Sequence, residues 1–82
     1  DEVRFALKNG HPVLARGEGN DNSNGLFSVG PHFIVLRAID KHEGIYINNP
    51  TWDRRAENTQ PFTLKAIKKW ATKYWLFPAK AN

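Results

Sequence analysis

His32 is the residue whose type and position come closest to chemistry in this chain. It opens a nearly continuous apolar run, His32-Phe-Ile-Val-Leu-Arg-Ala-Ile-Asp40, and the next apolar segment, Ile45-Tyr46-Ile47, ends in Asn48-Asn49-Pro50. An imidazole serves as a general base when a neighbour fixes which ring nitrogen carries the proton, and an Asn or Asp oxygen can do that. Asn49 is the first candidate for this orienting role and Asp53 the second. His11 and His42 lie in turn contexts without a partner at ligand spacing, so no metal site is expected. Asn20-x-Asn22-x-Asn24-Gly25 has the outline of a calcium loop. Its first ligand is not Asp, however, and Pro31 stands where the bidentate Glu belongs. No cofactor is expected either. Ser23 in a Gly/Asn-rich loop and Ser28 in a short apolar segment are poorly placed as nucleophiles, because neither opens a helix.

The elements that must position these residues read as α+β. Residues 1–9 predict a short helix with Val3, Ala6 and Leu7 on one face and Gly10 as its terminator. Val13-Leu14-Ala15 predicts a strand after Pro12, and residues 17–25 a solvated loop. Leu26–Val29 is a second candidate strand. Residues 32–40 form the strongest strand, apolar enough to be buried on both faces and central in its sheet. Lys41-His42-Glu43-Gly44 is its turn, and residues 45–47 return. Residues 51–61 read as an irregular charged loop. From the N-cap Thr63, Leu64, Ile67, Trp70, Ala71 and Tyr74 recur at helical spacing, with Lys65, Lys68, Lys69 and Lys73 on the exposed side. Trp75-Leu76-Phe77, before Pro78, is either the last turn of that helix or a closing edge strand. The expectation is one domain over residues 1–82: an antiparallel sheet of four to five strands, a short N-terminal helix and a longer C-terminal one.

A regular hairpin closed by residues 41–44 would set Asp40 opposite Ile45 and Asn49 opposite Leu36. His32 and Asn49 then share a face, because the side-chain period of a strand is two. They would be offset by four residues, roughly 13 Å, so contact requires a bulge or twist.

Composition bounds the possibilities. The chain has 82 residues with no Cys and no Met, so it supplies no disulfide, thiolate ligand or cysteine nucleophile. The missing Met at position 1 suggests a processed piece or an excised domain. Ten aromatic residues, as three Trp, two Tyr and five Phe, fit a packed globule. A net charge of +4 raises the prospect of an anionic partner without establishing one. No run is long enough to span a membrane and residues 1–4 are no signal peptide, so a soluble protein of unknown compartment is expected.

Taken in order, these segments resemble the papain-like cysteine peptidases of the bacteriocin-leader type, the C39-like peptidases. Gly30-Pro31-His32-Phe33 is similar to the strand that presents that family's catalytic His, with one residue inserted. Asn49-Pro50 stands for the Asp-Pro whose carboxylate orients that His. Phe62 to Trp70 resembles the closing helix, and Leu7-Lys8-Asn9-Gly10-His11-Pro12-Val13 the lead-in strand. The resemblance implies the β half of a papain-like fold, with His32 as base and Asn49 or Asp53 as orienter. It also implies a peptide or protein substrate. The family's nucleophilic Cys and the oxyanion-hole Gln before it have no counterpart, since Gln60 lies on the wrong side of His32.

This chain alone is therefore expected to be inactive, with its Cys supplied by an upstream segment or a second chain. The uncovered sheet is expected to expose a large apolar patch near His32. Two alternatives stand beside this reading. One is a non-catalytic module holding an extended peptide at the edge of the His32 strand. The other is a small basic toxin-type ribonuclease, which would need a second acid or base near His32, with Asp53 and Glu57 as candidates.

Overall fold

The computed structural model describes residues 1–19, 27–28, 30–50 and 52–77, with the side chains of Trp52 and Asp53 excepted. The chain folds as α+β on a four-stranded antiparallel sheet. Helix α1 (Glu2–Lys8) leads into β1 (Val13–Gly17), followed by β2 (His32–Ile39) and β3 (Ile45–Asn48). A 3-10 helix (Trp52–Thr59), helix α2 (Leu64–Trp70) and strand β4 (Ala71–Leu76) complete it. The strand order β3-β2-β1-β4 is a Greek-key arrangement, in which the last strand returns beside the first.

Local chemistry explains the ends of α1. Asp1 Oδ1 accepts from the Val3 and Arg4 amides as N-cap, and Gly10 takes a φ of 78° just past the last turn. Thr63 caps α2 in the same way, its hydroxyl oxygen accepting from the Ala66 amide. Both helices lay their apolar faces on one side of the sheet. Val3, Ala6 and Leu7 of α1 and Leu64, Ile67 and Trp70 of α2 close over Val13, Ala15, Ile34, Leu36, Ile45 and Ile47. The hairpin expected from the sequence is there, with Ile34, Leu36, Ile45 and Ile47 all buried.

Four expectations are corrected. Strand β2 is central but not buried on both faces, since Phe33 is 45% exposed and Arg37 faces solvent on the far side. Residues 52–59 are helical rather than irregular. The C-terminal helix is no longer than the first: it stops at Trp70, and Ala71, Lys73 and Tyr74 belong to β4. Thr72, Tyr74 and Trp75 favour a strand, and the free edge of β1 supplies the partner, through Arg16↔Lys73 and Ala15↔Tyr74. Of the proposed strand over residues 26–29, Phe27 and Ser28 are not extended pairs, and Leu26 and Val29 lie outside the described residues. The calcium-like Asn run and Ser23 lie outside them too.

Gly17 fixes how closely β1 approaches the end of α2. A Cβ there would sit 2.3 Å from two indole carbons of Trp70 and 2.6 Å from the Trp70 carbonyl oxygen. Trp70 is fully buried and cannot move aside. Gly17→Ala is therefore expected to lower unfolding stability by about 3 kcal/mol, read in urea titrations. A loss under about 0.5 kcal/mol, the ordinary range for surface changes, would contradict this packing.

The β2–β3 turn is held by acids. Asp40 Oδ1 accepts from the His42 and Gly44 amides, each at 2.8 Å, and Glu43 pairs with Arg4 at 2.5 Å and Lys8 at 2.8 Å. The Gly44 amide bond holds the Asp40 carboxyl below its ordinary 3.8, and the Lys8 hydrogen bond holds Glu43 below its ordinary 4.5. A depressed folded-state value means stabilisation that is complete above the unfolded pKa and lost as pH falls through the folded one. The melting temperature should thus drop as pH falls below 4.5 and further below 3.8. The Asp40→Asn/Glu43→Gln double variant should show a flatter profile. An equal acid loss in both proteins would contradict the assignment.

Candidate active site

The inward face of β2 ends at His32, and that of β3 runs Ile45, Ile47 and on to Asn49. The ladder between them carries a bulge at Arg37: Ile39 pairs with Ile45 and Ala38 with Tyr46, but Leu36 pairs with Ile47 and Val35 with Asn48. The extra residue, together with the Asp40–Gly44 closure of the turn, brings Asn49 level with Ile34 instead of Leu36. The offset from His32 falls from four residues to two, roughly 7 Å along the strand, which two side chains can span. His32 Nε2 lies 2.9 Å from Asn49 Oδ1.

Asn49 is buried at 2% exposure, and the protein holds it on every side. Its Nδ2 donates to the Phe27 carbonyl and to Glu57 Oε1, both at 2.9 Å. Its amide N–H donates to Asn58 Oδ1 at 2.6 Å, and its carbonyl accepts from Asn58 Nδ2 at 3.3 Å. Two acceptors facing Nδ2 decide which end of the side-chain amide is oxygen. Oδ1 must then point at His32 as an acceptor, so Nε2 carries the proton. In the neutral ring the lone pair is on Nδ1. His32 itself is half-buried, which leaves it within reach of solvent.

The supports of Asn49 come from two segments. Phe27 has a left-handed backbone, φ 67°, with its ring fully buried edge-on to Phe62 and Trp70. For a bulky residue this conformation costs about 1–2 kcal/mol, and it accompanies a carbonyl that meets Asn49 Nδ2. Glu57 and Asn58 come from the 3-10 helix, and Glu57 Oε2 also accepts from Arg54 at 3.3 Å. Glu57, a candidate acid or base beside His32, instead holds the Asn49 amide with its carboxylate. Its spacing, eight residues past Asn49 in a segment read as a loop, gave no signal of that role.

The other candidates fall elsewhere. Asp53 lies in the 3-10 helix, with its side chain outside the described residues. Ser28 is nearly buried, its hydroxyl donating to the Gly30 carbonyl at 2.6 Å and accepting from Trp70 Nε1 at 2.9 Å. His42 is exposed in the turn, and among the described residues no group of three or more His, Cys, Asp or Glu could hold a metal. A groove of about 630 Å³ between α1, α2 and β4 is lined by residues such as Lys68 and Tyr74, and neither His32 nor Asn49 is among its lining. Among the described residues the exposed large apolar side chains are Phe5, Phe33, Leu76 and Phe77. Phe33 adjoins His32 in the chain but points to the other face, so the inward side at His32 carries no such patch among the described residues. No helix among them is long and apolar enough to cross a membrane. Strand β2 is inside the sheet; the outer strands are β3 and β4, and β3 is bridged by Phe62 at Ile45.

Comparison of the chain with protein-family models, curated proteins and solved structures returns no match.

Proposed function

We propose that this chain is the histidine-bearing half of a papain-like cysteine peptidase of the bacteriocin-leader type. The reading rests on one observation: Asn49 Oδ1 at 2.9 Å from His32 Nε2, with the Asn49 amide itself locked by Phe27 and Glu57. In this role Nδ1 of His32 takes the proton from a thiol. The thiolate attacks a peptide carbonyl, and the imidazolium returns the proton to the leaving amine. Asn49 keeps the ring oriented throughout and accepts from the N–H of the imidazolium. The thiol comes from outside these residues, because the chain has no Cys. The 82-residue chain on its own hydrolyses nothing.

The test is thiol-dependent peptide hydrolysis by the natural full-length protein. His32→Ala should lower kcat/KM by roughly a thousand-fold, the scale of a lost general base. Asn49→Gln should lower kcat more than it raises KM. Activity indifferent to His32, or a full-length protein with no thiol near it, would overturn the proposal.

A further inference from the structure

Neither α1 nor α2 covers the far face of the sheet, since both pack on the inward side; the 3-10 helix meets it at Arg37, whose guanidinium donates to the Asn58 carbonyl. Register and alternation place Leu14, Arg16, Phe33, Val35, Tyr46, Lys73 and Trp75 there. Three of these are rings, each with a cation above it. Arg16 lies 5.8 Å from the Phe33 ring, Arg37 5.5 Å from Tyr46 and Lys73 5.0 Å from Trp75. Phe33 and Trp75 lie 5.8 Å apart across β1, inclined at 39° to one another. The acids that meet this face among the described residues are Glu18, paired with Arg16, and Asp40, whose carboxylate accepts from the Tyr46 hydroxyl.

From this arrangement we propose that the outward sheet face binds single-stranded RNA, independently of His32. Rings on an open antiparallel sheet offer π-faces to unstacked bases, and cations on long stems reach the phosphates between them. Phe33 lies five positions along β2 from Ala38, the partner of Tyr46, and Trp75, level with Val35, lies three, so the rings spread over roughly 10–15 Å, the span of a few extended nucleotides. A base that stacks on Trp75 displaces Lys73 sideways, from the ring towards the backbone phosphate. An acidic peptide would satisfy the cations but leave the rings unused, which favours RNA. The lysines of α2 lie on the other side of the domain and take no part.

The experiment is fluorescence anisotropy of a labelled single-stranded uridine-rich ten-nucleotide RNA titrated with the whole chain, with Trp75 emission followed in parallel. Trp75→Ala should weaken binding roughly ten-fold or more, and the surface variant Lys73→Gln several-fold. Raising salt from ~50 to ~200 mM should weaken it roughly fifteen-fold, as expected for about three neutralised phosphates. His32→Ala should leave binding unchanged, so a failure here does not bear on the peptidase reading. The proposal is overturned if Trp75→Ala and Lys73→Gln bind as the parent does. It is equally overturned if polyglutamate competes as well as RNA, or if duplex RNA binds as tightly as single strands.

Discussion

Asn49→Asp, the change that restores the acid of the resembled Asp-Pro motif, is expected to destabilise this protein by about 3 kcal/mol at neutral pH. The new carboxylate would face Glu57 Oε1 where Nδ2 now donates at 2.9 Å, and the buried Phe27 carbonyl would lose its donor. Two carboxylates at that distance cannot both stay ionised, so one would hold a proton with a raised pKa. A raised folded-state value favours the protonated pair, and the deficit against the parent should shrink as pH falls. Glu57→Gln in the Asn49→Asp background supplies an N–H in place of the repelling oxygen. It should recover about half of the loss, whereas Glu57→Gln alone weakens the parent. Denaturant titrations of the four proteins form the cycle that reads this coupling. Additive effects would mean that Glu57 does not hold the Asn49 amide.

Trp70→Ala should cost about 4 kcal/mol, which approaches the whole stability of a domain this size. The ring is fully buried, meets Phe27 edge-on at 5.3 Å and roofs the glycine gap at Gly17. Its Nε1–H donates to Ser28 Oγ, which in turn donates to Gly30, so the indole also pins the segment leading into His32. Trp70→Phe separates the two contributions. It keeps an apolar ring and should lose about 1–2 kcal/mol, mainly from Ser28 and the smaller volume. A far-ultraviolet melting curve for each variant checks the order. If Trp70→Phe proved as damaging as Trp70→Ala, the hydrogen bond rather than the packing would dominate.

The His32–Asn49 pairing was legible in part because strand periodicity is strict. Once residues 32–40 and 45–48 are strands, a period of two puts both residues on one face whichever even register is taken. The distance was not legible. It depends on the bulge at Arg37, whose guanidinium donates to the Ile47 and Asn58 carbonyls and so ties the irregular strand to the 3-10 helix. Nothing in Leu36-Arg37-Ala38 announces a bulge, because the residue types suit a regular strand equally well. The 3-10 helix escaped notice because its polar residues carry no apolar stripe; they serve Asn49, Arg37 and one another. The C-terminal helix was over-extended for the opposite reason. Ala71 and Tyr74 continue the helical stripe from Leu64, and they also fit a strand pairing with Gly17 and Ala15, which wins because β1 would otherwise be an unpaired edge. As part of β4, Lys73 lies on the outward sheet face and not on a helix surface.

Asn49 Oδ1, set as an acceptor, holds His32 with its proton on Nε2 and its lone pair on Nδ1. Nitrogen-15 NMR of the imidazole, at a pH where the ring is neutral, reads this directly in the isolated chain. A protonated, pyrrole-type signal for Nε2 and an unprotonated, pyridine-type signal for Nδ1 are expected, collapsing to a tautomer mixture in Asn49→Ala. A proton on Nδ1 in the parent protein, or a mixture unaffected by Asn49, would contradict it.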